Sequence, residues 1–273
     1  MFKTVDSDML VGNCPFCHSK EAFKFKEGSK WMFLCHDCQR YMPFENAGIK
    51  EHETITPNVN FNSLLSYFTR VDGLDADHPA RRYAESRKIP PSSVYYTNSF
   101  DTLSDKYADT PVKDSKRLCF LIYNTDKKLV GVTGRSLNPK DKLRYITLMF
   151  DKNESKVYGK EKINMEKPFV VVEGPLDSLF VKNAIAMNGA EGIENKYSTF
   201  ATICFDNEPR NKQIVNKMKR SLENNFKVVI WPKSLKHKDI NDMVLAGYDP
   251  DKIIAQNTYS GLLGQLKLNE WKK

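Results

Sequence analysis

The chain reads as α/β in three parts: a small β module built on metal, an α+β segment rich in basic residues, and a parallel α/β domain. Three observations predict this. Four cysteines fall in two Cys-x₂-Cys pairs, Cys14/Cys17 and Cys35/Cys38. Two apolar runs, Arg117–Tyr123 and Leu129–Thr133, flank a turn and are bordered by arginines. Three later apolar runs, Phe169–Val172, Ala201–Phe205 and Lys227–Trp231, alternate with helical patterns, and each leads into carboxylates.

At 273 residues the chain has room for two domains, or one plus a small module. Its 40% apolar content is enough for a real core. A formal net charge of +8 suits a polyanionic partner, although many soluble proteins carry as much. No apolar run approaches the ~20 residues of a membrane span. Met1 to Asp6 lacks the apolar core of a signal peptide, so an intracellular, cytoplasmic location is expected. Thiols in that reducing setting are metal ligands more often than disulfides. Neither a glycine loop ending in Gly-Lys-Ser/Thr nor a dinucleotide fingerprint is present, which excludes those nucleotide-binding classes.

Residues 1–44 form the first expected domain. Cys14-Pro-Phe-Cys17 and Cys35-His-Asp-Cys38 have the spacing of a tetrahedral structural Zn²⁺ site. The segment between them reads as a hairpin: Phe23-Lys-Phe-Lys26, a turn over 27–30, and Trp31-Met-Phe-Leu34. His18 and His36 neighbour the ligands and are expected to be spectators. Lys24 and Lys26, interleaved with aromatics, make a surface that suits single-stranded nucleic acid. The competing reading makes the aromatics the core of a module too small to fold without metal. Trp31 is the aromatic expected to be exposed. Residues 45–60 are polar and weakly patterned and read as a flexible linker.

Residues 61–168 form the basic segment. His78-Pro-Ala-Arg-Arg-Tyr-Ala-Glu-Ser-Arg-Lys88 starts at a proline and predicts a short basic helix, stopped by Pro90-Pro91. Arg117–Tyr123 and Leu129–Thr133 predict a hairpin turned at 124–127. Arg117, Arg135, Lys142 and Arg144 lie on or beside strands. Clustered, they would bind template or nucleotide phosphates; scattered, they carry no such meaning. Cys119 and Cys204 sit inside apolar strands and are expected to be buried and inert.

Residues 169–250 carry the chemistry, and 251–273 read as a helical tail. Phe169-Val-Val-Val172 predicts a strand buried on both faces. It ends on Glu173; Gly174 permits a tight turn and Pro175 suits the first position of a helix. Asp177 then falls in that helix's first turn. The second run ends in Asp206-Asn207-Glu208, and the third leads to Lys238-Asp239-Ile240-Asn241-Asp242. Helical patterns over 176–187 and 211–222 complete a βαβαβ unit with a parallel sheet. Ligands of such a sheet bind at the C-terminal ends of its strands. Taken singly, Glu173 could end a strand in water and Asp177 complement a helix dipole. The threefold repetition favours one acidic crevice. Glu173, Asp177, Asp206, Glu208, Asp239 and Asp242 would repel unless cations held them, and hard oxygen ligands suit Mg²⁺ or Mn²⁺ rather than zinc.

The whole pattern resembles the DNA primases of bacteria and bacteriophages, the T-even-like phage type above all. The resemblance rests on Val172-Glu-Gly-Pro-Leu-Asp-Ser-Leu-Phe180 and Lys238-Asp-Ile-Asn-Asp-Met243, with Val130-Gly-Val-Thr-Gly-Arg-Ser136, Lys142-Leu-Arg-Tyr145, Val157-Tyr-Gly159 and the four cysteines. It implies a zinc ribbon followed by a toprim-type, Rossmann-like domain. Two departures stand out. The acidic pair, usually Asp-x-Asp, is Asp206-Asn207-Glu208, and Asn241 stands where a second acid is common, with Asp242 as its substitute.

The resemblance implies an enzyme of DNA replication, a DNA-directed RNA polymerase that makes short RNA primers on single-stranded DNA from NTPs. Asp206 and Glu208 are then the first metal ligands, with Asp239 beside them and Glu173 either ligand or general base. A separate replicative helicase and a single-strand-binding protein are the expected partners. Two other readings stay open here. One is a toprim nuclease or topoisomerase-like strand cleaver, although none of the twelve tyrosines is singled out as a nucleophile. The other is a non-catalytic zinc-ribbon nucleic-acid-binding protein, against which the acids after all three strands speak.

Overall fold

Alternating residues build the cysteine module as an antiparallel meander. Its strands β1 (Lys3–Asp6), β2 (Met9–Gly12), β3 (Ala22–Glu27), β4 (Lys30–Cys35) and β5 (Tyr41–Pro43) pair in chain order. This computed structural model describes residues 3–6, 9–12, 14, 16, 17, 22–27, 30–35, 38–47, 64–138, 140, 141, 143–189 and 193–273. Its two units are Met1–Asn58 and Val59–Lys273. In the expected hairpin, Ala22, Lys24 and Lys26 stand opposite Cys35, Phe33 and Trp31. Facing residues share a side of the sheet. That side carries the small core of Cys14, Ala22, Phe33, Cys35 and Phe44. Residues Phe44–Ala47 form a 3₁₀ turn. The remainder of the expected linker, 48–60, lies outside the described residues, as do His18 and His36.

The second unit contains two sheets. The first is antiparallel, in the order β10-β9-β8-β7-β6: β6 (Thr69–Arg70), β7 (Tyr95–Thr97), β8 (Arg117–Tyr123), β9 (Leu129–Ser136) and β10 (Tyr145–Met149). The period of two divides β8 between two cores. Leu118, Phe120 and Ile122 enter the large core shared with the parallel sheet, while Cys119 and Leu121 pack with Phe100 and Leu103. The basic helix α1 (Pro79–Ser86) has Pro79 in its first turn and is capped by His78, whose Nδ1 accepts the Ala80 N–H. Helix α2 (Phe100–Tyr107) covers the other face of β8.

The parallel sheet has five strands: β11 (Phe169–Val172), β12 (Ala184–Ala186), β13 (Ala201–Cys204), β14 (Lys227–Val229) and β15 (Thr258–Tyr259). Their order is β12-β11-β13-β14-β15, with β15 antiparallel to β14. The helix expected over 176–187 is a single turn, α3 (Pro175–Ser178), and Ala184–Ala186 is instead a strand beside Val170–Val172. Asn183 and Asn188 bracket that strand with φ of 47° and 52°. Asparagine tolerates this left-handed conformation, and it breaks a helix. Helix α4 (Lys212–Glu223) matches its pattern: Asn211 caps it, and Ile214, Met218 and Leu222 face the core.

After α5 (Ile240–Leu245) and α6 (Pro250–Gln256), the expected helical tail is interrupted by β15, which completes the sheet, before α7 (Gly261–Trp271). Helix α7 lies close on α4. A Cβ added at Gly264 would stand 2.5 Å from Leu222 Cδ2.

A second tight approach gives a test of the fold. A Cβ at Gly134 in β9 would collide with the Phe100 ring and with Arg117 Cδ. Gly134→Ala should therefore destabilise the chain by about 1–3 kcal/mol, read from urea unfolding. A loss below about 0.5 kcal/mol would mean that β9 does not press on α2 as described.

Candidate active site

Three strand ends of the parallel sheet open into one crevice. β11 stops at Val172 and releases Glu173, β13 leads through Phe205 to Asp206, and the chain beyond β14 reaches Asp239. The crevice is lined by Glu173, Asp177, Asp206 and Asp239 over Val172, Cys204, Phe205, Trp231 and Ile240. Backbone amides hold these carboxylates. Asp177 Oδ1 accepts the Asn241 N–H at 2.9 Å, and Glu173 Oε2 accepts the Asp206 N–H at 3.3 Å. Asp239 caps α5 by accepting the Asp242 N–H at 2.7 Å.

Burial pushes the Asp177 carboxyl up to about 7; the Asp239 charge adds to this, and the Asn241 N–H and Arg87 oppose it. Burial likewise lifts Asp206 to about 8, helped by Glu173, Asp177 and Asp239 and opposed by Lys238. Cys204, buried beneath them, has its thiol pushed far above the ordinary range by burial and then by the same carboxylates. The side-chain cations stand at the rim. Lys217 Nζ lies 3.9 Å from Glu173, and Lys238 Nζ lies 3.0 Å from Glu208. The four carboxylates are half-buried, and carboxylate oxygens are the kind of donor that Mg²⁺ or Mn²⁺ takes, so their chemistry suits such an ion.

The structure brings together four of the six expected carboxylates and sets two at the edge. Burial works to raise Glu208, but hydrogen bonds from Lys238 and Asn211 outweigh it and hold the group below the usual range. Asp242 pairs with Arg87 at 3.2 Å. Asn241 is fully buried and gives its side-chain N–H to the Arg87 carbonyl at 2.8 Å, so it joins α1 to the third acidic element.

The basic residues divide. Arg117 is a correction to the expected phosphate-binding set. It is 2% exposed, and its guanidinium is spent on Asp114 and on the carbonyls of Gly134, Leu143 and Arg144. Its terminal nitrogens are thus taken up by main-chain oxygens and Asp114, while its Nε is buried without a partner. Arg135 lies over the rings of Tyr83 and Tyr145 at 5.1 and 4.9 Å, and its Nε is buried without a hydrogen-bond partner. Burial raises Tyr83, against which Arg135, Arg87 and Arg144 act, and Asp239 is felt there too. Arg87, Arg135 and Arg144 are thus all near enough to Tyr83 for their charges to act on it. Lys142 lies outside the described residues. Sequence reasoning passed over Arg87, Tyr83 and Asn207. Only the basic character of α1 hinted at Arg87.

In the other unit, the four thiols converge to within 4.8 Å of one another. Cys14 and Cys38 are 3.7 Å apart, and Cys17 and Cys35 are 3.6 Å apart. Cys14 is lowered to about 7: burial opposes the shift, and the N–H groups of Cys17 and Phe16 outweigh it. Trp31 differs from expectation. It is half-buried against the module's core, with the Lys24 and Lys26 ammonium groups 4.9 and 5.2 Å from its ring. Tyr41 and Phe16 are the exposed aromatics among the described residues of this unit. Cys119 and Cys204 are buried, as expected.

No protein-family profile matches the chain. It is similar to the DNA primase of Enterobacteria phage T4, with 31% identity over 231 residues, which is 80% of this chain and 67% of the phage protein. Solved structures share its fold, two of them as follows. One is the Aquifex aeolicus primase, zinc-binding and RNA polymerase domains: 18% identity, 99% of this chain, 80% of that one, TM-score 0.50. The other is a DnaG primase catalytic domain bound to single-stranded DNA: 15% identity, 69% of this chain, 74% of that one, TM-score 0.51. Among the described residues, no helix is long and apolar enough to cross a membrane.

The raised carboxyls predict how stability follows pH. Unfolded carboxyls titrate near about 4, whereas Asp177 and Asp206 titrate near about 7 and about 8 when folded. Between those limits the folded chain binds more protons, so metal-free stability falls as pH rises from about 4 to about 8. Mg²⁺ or Mn²⁺ should raise the melting temperature at about pH 8 and do so less at about pH 5, where protons compete. Thermal melts across this window check both; stability that is flat or rising in metal-free protein would contradict the electrostatics.

Proposed function

The chain belongs to the DNA primase family, and we propose that it starts RNA chains without a primer on single-stranded DNA, at the crevice of Glu173, Asp177, Asp206 and Asp239. One observation carries this reading: carboxylates from three strand ends meet in one crevice, where burial and then one another's charge push Asp177 up to about 7 and Asp206 up to about 8. Glu173, Asp206 and Asp239 would hold Mg²⁺ or Mn²⁺, with Glu208 and Asp242 in reserve at the rim. Bound there, the ions would neutralise the triphosphate and lower the pKa of the attacking hydroxyl.

The protein's own groups supply positioning, which is most of what phosphoryl transfer needs. Arg135, braced on two tyrosine rings, holds a guanidinium whose charge suits a phosphate oxygen. Arg87 and Arg144 extend that basic side toward template backbone or incoming NTP. Asp177 receives the Asn241 N–H and sits too deep to meet solvent freely, which suits a role in ordering the crevice.

Cys14, Cys17, Cys35 and Cys38 would bind a structural Zn²⁺, and a closed four-thiolate set leaves no open position for chemistry. The strand bearing Lys24 and Lys26, both ammonium groups lying over the Trp31 ring, would contact single-stranded template. Partners of this activity would include a replicative helicase and a single-strand-binding protein.

Two outcomes test the reading. Glu173→Gln with Asp206→Asn should cut primer synthesis on single-stranded DNA by at least roughly 100-fold, as loss of electrostatic stabilisation does, while single-strand binding stays within about twofold. Synthesis near the wild-type rate would remove the crevice from the reaction. Cys35→Ser with Cys38→Ser should abolish zinc in elemental analysis and erase start-site preference; zinc retained, or unchanged preference, would sink the template role.

A further inference from the structure

A buried indole holds the chain on each side of Asp206. Trp231, in the crevice wall, donates its Nε1–H to the Phe205 carbonyl at 2.8 Å. Trp271, in the last turn of α7, donates to Asn207 Oδ1 at 3.2 Å. Both indoles are nearly sealed from water, at 2% and 4% exposure. Helix α7 contributes no residue to the crevice lining. We infer that Trp271 is a positioning residue: acting through Asn207, it fixes the loop that presents Asp206 and Glu208. This inference rests on the reading of the crevice as the metal-dependent centre.

Asn207 is the joint between two acidic elements. Its Nδ2 donates to the carbonyls of Leu235 and His237, both at 3.0 Å, and its backbone N–H donates to the Lys238 carbonyl at 2.7 Å. These bonds tie the second acidic element to the approach of the third, since Asp239 follows directly. The amide orientation is determined: reversing it would face the Asn207 oxygen to two carbonyls and its N–H₂ to an indole N–H. Oδ1 is then the side chain's only acceptor, and Trp271 fills it. Elsewhere α7 is seated firmly enough to act as a fixed point. Gly264 lets it approach Leu222 of α4, Leu268 is buried, and the Lys273 N–H reaches the Pro209 carbonyl at 3.0 Å.

The alternative is that Trp271 merely fills space. Trp271→Phe separates the two, because it keeps a buried aromatic ring and removes the N–H. The test uses the full, zinc-loaded chain with Mn²⁺ as the probe, free Mn²⁺ being read by electron paramagnetic resonance, alongside primer synthesis. Trp271→Phe should weaken Mn²⁺ binding at the crevice by roughly threefold to tenfold, as loss of one hydrogen bond does, and synthesis should recover at high Mn²⁺. Asn207→Ala should weaken it at least as much. In the double variant Trp271→Phe should add nothing, since residues acting through one contact are non-additive. If Trp271→Phe does not fold, Asn207→Ala reads the same link from the loop side, and unchanged Mn²⁺ affinity there overturns the inference. It is equally overturned if Trp271→Phe lowers only the melting temperature, or if the two effects add. Asp206→Asn separates this failure from that of the underlying reading: if it binds Mn²⁺ like the wild type, the crevice is not the metal site and both fall.

Discussion

Like charges crowded at the edge of a parallel sheet repel, and the second unit is arranged around that repulsion. Glu173, Asp177, Asp206 and Asp239 share one crevice, where burial first and mutual repulsion second lift Asp177 to about 7 and Asp206 to about 8, far above an ordinary carboxyl. The fold does not relieve this strain with buried cations. It keeps Lys217, Lys238 and Arg87 at the rim and holds the carboxylates in place with amide N–H groups from Asp206, Asn241 and Asp242. A site that neutralised itself would have little affinity for a divalent ion. One left uncompensated, but rigid, is what the proposed metal binding requires.

Rigidity at the crevice comes from outside it. Asn188, left-handed at the end of β12, gives its N–H to the Glu173 carbonyl and its side-chain N–H to Thr133 of the antiparallel sheet. Asn241 does the same for α1 by binding the Arg87 carbonyl. The two sheets of this unit are therefore linked at residues adjacent to the carboxylates. Arg87 and Arg135 come from the antiparallel half, so the groups proposed to meet phosphate and those proposed to hold metal are registered through these asparagines. Arg117, one of the four basic residues expected to bind phosphate, serves this frame rather than a ligand.

Much of this was legible in the sequence because periodicity and element ends are local. Apolar runs gave β11, β13 and β14, Pro79 marked a helix start, a helical pattern marked 211–222, and acids after each run pointed to the crevice. What escaped depended on partners far along the chain. The apolar residues of 176–187 fit a helix as well as a turn and a strand, and the choice was made by pairing with β11. Arg117 and Arg135 look alike in sequence, yet one faces carbonyls and the other two tyrosine rings. The tail beyond residue 250 had a helical pattern on both sides of Thr258–Tyr259, a segment too short to show a period of two. Asn207 looked like a spacer between two acids because its partners, Leu235, His237, Lys238 and Trp271, lie far along the chain.

Everything proposed for catalysis depends on the uncompensated carboxylates of one crevice holding the metal ions. Anomalous scattering from crystals grown with Mn²⁺ tests this most directly. Mn²⁺ peaks are expected among Glu173, Asp206 and Asp239. Crystals that bind Mn²⁺ elsewhere while this crevice stays free of it, at a pH where the carboxyls are ionised, would contradict it.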